Sequence, residues 1–176
     1  MAVTALSLPE MIILRKVFLM IIISQERRVM LILKIKWQRL IDNENRTCPR
    51  CGNTETELDY AFKKLREALK PLGIEVVIEK KEIGLDEFKN DPLMSNQIFI
   101  NNRPLEDWLG ARIGQSQCCD VCGDSECRTV EVGNQVYETI PAALIIRAGL
   151  IAAAEILPVE RPLSDKFLIF KTKELT

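Results

Sequence analysis

Residues 47–78, TCPRCGNTETELDYAFKKLREALKPLGIEVVI, carry the reading on which the fold depends. Leu58, Phe62, Leu65 and Leu69 recur at helical spacing, with Lys63, Lys64, Arg66 and Glu67 mainly between them, so an amphipathic helix is predicted. Two starts are open for it. Thr54 followed by Glu57 has the form of a capping box, whereas Cys48 as cap with Pro49 at the first helical position begins the helix about one and a half turns earlier. Pro71 and Gly73 terminate it. Residues 74–78 (IEVVI) follow as a strand rich in β-branched side chains.

Upstream, residues 33–41 (LKIKWQRLI) place Leu33, Ile35 and Trp37 on one side and Lys34, Lys36 and Gln38 on the other, the alternation of a strand with one solvated face. Strand, helix and strand make a βαβ unit whose strands should be parallel. Downstream, residues 85–88 suit one helical turn. Residues 97–100 (QIFI) suit a short strand, Asn101-Asn102 a hairpin turn, and residues 103–108 its return strand.

Residues 114–128, GQSQCCDVCGDSECR, are polar, hold two glycines and four cysteines, and lack an apolar repeat. They read as an insertion ordered by a metal, by disulfides or by packing of the thiols. A second hairpin around Gly133-Asn134 follows, and Pro141 then opens a helix to about Glu155. That helix is apolar nearly all round, which asks for burial in the core or for a homodimer seam. Residues 167–170 suit an edge strand or an exposed anchor.

Composition narrows the chemistry. The 176 residues are 47% hydrophobic and 28% charged with a net charge of -1, an ordinary globular usage that does not favour a nucleic-acid surface. Histidine is absent, which removes histidine-based triads and HExxH zinc hydrolysis and leaves six cysteines: Cys48, Cys51, Cys118, Cys119, Cys122 and Cys127. The apolar run at residues 17–23 is far short of the roughly 20 residues that span a bilayer. Ser24-Gln25-Glu26 offers no small-x-small cleavage site, so the expected location is the cytoplasm without stable membrane insertion. Met30 is an alternative natural start, which makes residues 1–29 an N-terminal extension. The expected core is residues 30–160 and residues 161–176 form a tail.

The order strand, CxxC, helix, strand, hairpin and final helix is that of a thioredoxin-like α/β fold: a mixed sheet flanked by helices, with the cysteine-rich insertion before the last core helix. In that place Cys48 is an exposed attacking thiol, because free amides at a helix start stabilise a thiolate, and Cys51 is the resolving thiol. Pro49 stiffens the turn, and Arg50, with Arg46 nearby, favours the anion or is an ordinary surface residue. No proline precedes residue 97 where thioredoxins place one facing the CxxC, so Ser95 or Asn96 takes that contact.

The same cysteines have a metal reading, because the Cys48-Pro49-Arg50-Cys51-Gly52 turn has the form of a zinc knuckle and Cys119-Asp120-Val121-Cys122-Gly123 repeats it. Cys48, Cys51, Cys119 and Cys122 would then share zinc or another soft ion. A local site is the alternative, from Cys118, Cys119, Cys122 and Cys127, or from three of these with Cys118 outside it, and it suits zinc, copper(I), arsenic(III) or mercury(II). Without a metal, Cys118 or Cys119 would exchange disulfides with the first pair, as a second redox or recognition site.

From about residue 36 to 154 the chain resembles DUF2703, a family of prokaryotic proteins grouped with thioredoxin-like proteins. The resemblance rests on the Trp37 strand, residues 47–76, SNQIFINNRPLEDWLG, QCCDVCG, ECR and VYETIPAALIIRAG. It implies a thioredoxin-like fold with cysteines in functional positions, and no reaction. Three functions therefore stand open: a dithiol oxidoreductase acting on a redox partner protein or a small thiol-reactive substrate, a soft-metal or metalloid binding module, and a dimeric interaction protein with structural cysteines.

Overall fold

The computed structural model describes residues 30–118 and 120–158. The extension 1–29 with its apolar run, Cys119, and the tail 161–176 with its run at 167–170 lie outside the described residues. The chain divides into two units, Met1–Met30 and Leu31–Thr176, and the second holds every element below.

Strand β1 (Leu31–Leu40) occupies the middle of a four-stranded sheet. Its alternation explains why: Leu33, Ile35 and Trp37 are fully buried and lie beside Val76, Ile78, Ile98 and Ile100 on the neighbouring strands. Strand β2 (Ile74–Ile83) runs parallel to β1 on one side, and β3 (Gln97–Ile100) runs antiparallel on the other. The short β4 (Arg103–Pro104) completes the order β2-β1-β3-β4. The opposite face carries Lys34, which pairs with Glu79 at 2.6 Å in solvent, so the expected solvated face is present at the start of the strand, whereas Gln38 further along is buried and donates to the Met94 carbonyl at 2.9 Å.

Helix α1 (Pro49–Leu69) crosses from β1 to β2 and buries Cys51, Thr54, Leu58, Ala61, Leu65 and Leu69, a stripe at three- and four-residue spacing. Of the two open starts, Cys48 is the cap and Pro49 the first helical residue. Thr54 and Glu57 serve another helix. The Thr54 hydroxyl accepts the Ile140 amide at 3.1 Å and the Glu57 carboxylate accepts the Ala142 amide at 2.8 Å, satisfying donors at the start of α4 (Ala142–Ile156). Past Leu69 the chain tightens into a 3₁₀ turn, Lys70–Leu72, and leaves it through Gly73 at φ 71°, a left-handed conformation that favours glycine.

Between these helices come α2 (Leu85–Asn90) and α3 (Leu105–Leu109). Asn101 and Asn102 adopt φ 49° and 64°, the left-handed pair of a tight hairpin. The expected return strand over residues 103–108 stops after Pro104. Leu105 and Trp108 are both buried, and positions three apart share a side on a helix but lie on opposite faces of a strand.

Helix α4 is a core helix on one side. Ala148, Gly149, Ala152 and Ala153 are buried, and a Cβ placed on Gly149 would meet Leu65 Cδ1 at 2.6 Å, so the missing side chain lets α4 approach α1. Leu150 and Ile151 face outward. The expected mixed sheet flanked by helices, with the cysteine-rich stretch before the last core helix, is therefore present. No helix among the described residues is long and apolar enough to cross a membrane.

Residues 114–128 are more than an insertion without core. β5 (Arg112–Gln117), β6 (Glu126–Val132) and β7 (Gln135–Tyr137) form a second, antiparallel sheet, and Cys127, Arg128, Thr129 and Val130 of β6 are buried. Arg128 fastens β6 to the first layer: it meets the Glu106 carboxylate on α3 at 2.9 Å, each side chain 2% exposed, and donates to the Leu93 carbonyl at 3.1 Å. Removing one partner leaves a buried charge uncompensated, so Glu106→Ala should lower unfolding free energy by about 3–5 kcal/mol in denaturant titrations. The double replacement Glu106→Leu with Arg128→Met should cost less than the single one.

Candidate functional site

The first sulfur of the site lies at the mouth of α1. Cys48 has the extended backbone of an N-cap, φ -71° and ψ 155°, and the Cys51 amide donates to its Sγ at 3.5 Å. Pro49 needs no amide partner at the first helical position, which is why the sequence can turn here. Cys48 is nonetheless only 1% exposed, so the expected exposed attacking thiol is corrected to a buried one.

What covers it is the β5–β6 hairpin, held down by Arg50. The guanidinium donates to the Ser116 hydroxyl at 2.8 Å, to the Gln117 carbonyl, and to Glu138 at 2.7 Å; Ser116 in turn donates to the same Glu138 oxygen at 3.0 Å. Arg50 thus spends its donors on the hairpin end that immediately precedes Cys118 and does not point at a sulfur. Arg46 is exposed and paired with Asp42 and Glu44, away from that role.

The hairpin delivers three more thiols. Cys118 follows β5 and is half-buried, Cys122 ends a 3₁₀ turn (Asp120–Cys122), and Cys127 lies on β6 opposite Ser116. Gly123, at φ 61°, reverses the chain after Cys122 and sends it into β6. The sulfurs of Cys48, Cys118 and Cys122 all lie within 4.8 Å of one another, and Cys127 Sγ is 3.2 Å from Cys122 Sγ. An ion bonded to sulfur at about 2.3 Å holds its ligands about 3.8 Å apart, so this cluster needs shifts of only about an ångström to coordinate one.

Cys51 sits behind that group. Its Sγ contacts the Ser95 hydroxyl at 3.5 Å, and Ser95, 1% exposed, accepts the Leu40 amide at 3.1 Å. Ser95 thereby takes the contact facing the CxxC, while Asn96 joins the Trp37 indole at 3.2 Å to the Glu138 carbonyl at 3.2 Å. The set Cys48, Cys51, Cys119 and Cys122 is therefore only partly brought together. Cys48 and Cys122 meet, Cys118 and Cys127 join them, Cys51 stands to one side, and Cys119 lies outside the described residues.

Charge is unevenly shared among the thiols. Donation from Cys122 above all, then from Cys127 and Cys51, holds the Cys48 thiol far below the ordinary range. The donors keep their protons: the contacts with Cys127 and Cys48, followed by burial, push Cys122 up, and the bond to Cys48 with burial pushes Cys51 up. For Cys127 the bond with Cys122 acts downward and is outweighed by Cys48, burial and Cys118, so it also rises. The arrangement favours the anion at Cys48, with its neighbours' S–H groups turned to it.

Ser116, Glu138, Glu106 and Arg128 shape the site without having been singled out from the sequence. Their partners lie 22 to 88 residues away, beyond any local pattern.

The model of a family described as "Domain of unknown function (DUF2703)" matches residues 33–149. A relative from Archaeoglobus fulgidus, described as an uncharacterized protein, is 51% identical over 114 residues, which is 64% of this chain and 82% of the relative. No solved structure matches. The matched stretch runs from the central strand through all of the described cysteines to the last core helix, and the chain belongs to the DUF2703 family.

Proposed function

We propose that this protein binds a thiophilic metal or metalloid ion through Cys48, Cys118 and Cys122, with Cys127 as a fourth sulfur. The observation that carries the reading is the convergence of those three sulfurs within 4.8 Å from two segments far apart in the chain. The donor set is sulfur alone, in a chain without histidine, which favours zinc, copper(I), arsenic(III) or mercury(II) over hard cations. Burial of Cys48 and Cys122 adds protection from water.

Cadmium titrated into the reduced protein should give a sulfur-to-metal charge-transfer band that saturates at one ion per chain. Cys48→Ser and Cys122→Ser should each weaken binding by at least about tenfold, or about 1.4 kcal/mol. A reduced protein that stays folded and gives no band at any cadmium concentration would sink the proposal.

Protons supply a second check. Cys122 and Cys127 are held protonated without an ion and must become thiolates to bind one, so loading should release at least about two protons into a weakly buffered solution. Affinity should accordingly strengthen as pH rises. Binding with no proton release would mean that these two sulfurs are not ligands.

Dithiol exchange is the second reading, favoured by the lowered Cys48 thiol at a helix start with Cys51 beside it. Here Cys48 is the nucleophile and Cys51 the resolver, Pro49 stiffens the turn, and a redox partner protein or small thiol-reactive molecule is the substrate. The thiolate absorbance of the metal-free protein should persist in wild type, and vanish in Cys48→Ser, well below the usual thiol value of about 8.5.

A further inference from the structure

The metal reading leaves one thiol of the site unused. Cys51 is buried, stands outside the three converging sulfurs, and lies against Cys48, whose sulfur accepts its amide. On the other side of Cys48, within 4.8 Å, is Cys118, the one described site cysteine that is not fully buried. A path of neighbouring sulfurs thus runs from the surface inward, Cys118 to Cys48 to Cys51, and its middle member is a metal ligand.

From this juxtaposition, and resting on the metal reading above, we infer that ion binding and a Cys48–Cys51 disulfide are mutually exclusive states of one site, and that an external disulfide reaches it through Cys118. A site that loses Cys48 to a disulfide keeps Cys118, Cys122 and Cys127 of the hairpin but loses its one ligand from the start of α1, so oxidation by a small-molecule or protein disulfide weakens the site and releases the ion.

The steps balance. Cys118 attacks the external disulfide RSSR, forming a Cys118–SR bond and releasing one RS⁻. Cys48 attacks the Cys118 sulfur, which forms a Cys48–Cys118 bond and expels the second RS⁻. Cys51 attacks the Cys48 sulfur, closes Cys48–Cys51 and returns Cys118 as a thiolate. Two protein sulfurs are oxidised to the disulfide, RSSR is reduced to two RS⁻ that take one proton from Cys51 and one from solvent, and the ion loses Cys48 as a ligand. The short span between residues 48 and 51, with Pro49 holding the turn, makes this the most local disulfide that the described cysteines can close.

The test follows cadmium-loaded protein after addition of glutathione disulfide, reading free cadmium with a chelating dye and disulfides by peptide mass mapping. In wild type, cadmium loss should keep pace with one Cys48–Cys51 disulfide per ion released. In Cys118→Ser that disulfide should form at least tenfold more slowly, and the same comparison on metal-free protein keeps the result readable if the variant holds cadmium weakly. Cadmium released while Cys51 stays reduced, as in a Cys122–Cys127 disulfide, would overturn the inference, as would a Cys118→Ser rate equal to wild type. Absence of bound cadmium before any oxidant is added would overturn the metal reading itself.

Discussion

The guanidinium of Arg50 is the fastening on which the site depends. It projects from the first turn of α1 and bonds Ser116 and Gln117 at the end of β5 and Glu138 just past β7. Ser116 and Gln117 belong to a different sheet from the strand that precedes the helix, so the bridge seats one layer on the other at the point where Cys48 and Cys118 must meet. A planar fork with several fixed donors suits this task better than an ammonium group, because it holds orientation as well as distance.

A second fastening lies behind the thiols. Glu106 and Arg128 form a buried ion pair next in sequence to Cys127, and Arg128 also takes the Leu93 carbonyl, so β6 cannot slide relative to the first layer without exposing an unpaired charge. A pair of this kind contributes little net stability over an apolar core, yet it strongly penalises the wrong placement. The register of the cysteine-bearing strand is thereby set by electrostatics in a place where the sequence has few large apolar side chains to set it by packing.

With the hairpin seated, the charge distribution of the cluster follows. Water is excluded from Cys48, so its negative charge is stabilised by neighbouring S–H groups and by the Cys51 amide at the helix start. A thiolate solvated mainly by thiols is one that a soft cation can replace protons around. The same anion is also a nucleophile toward sulfur. Metal binding and disulfide exchange therefore draw on one atom, Cys48 Sγ, and are competing uses of it.

Much of the first layer was legible because it is encoded locally. The alternation of Leu33, Ile35 and Trp37, the stripe from Leu58 to Leu69, and the asparagine pair at 101 and 102 each follow from a period or a backbone preference within a few residues. Cys48 with Pro49 also had the form of a helix start on sequence grounds. Thr54 and Glu57 misled, since an oxygen acceptor at capping spacing reads the same whether it serves its own helix or an amide some 85 residues later. Residues 105–109 were hidden in a stretch too short for periodicity to speak.

The sequence by itself determined which residue types could act: six cysteines, no histidine, and one CxxC poised at a helix start. Only the tertiary structure decided that Cys118 and Cys127, more than Cys51, join Cys48 and Cys122, and that Cys48 is covered. The physical reason is that spacing along a chain governs contacts within a turn or a hairpin, whereas the meeting of sulfurs some 70 residues apart is governed by how two sheets dock, through Arg50 at one end and Arg128 at the other.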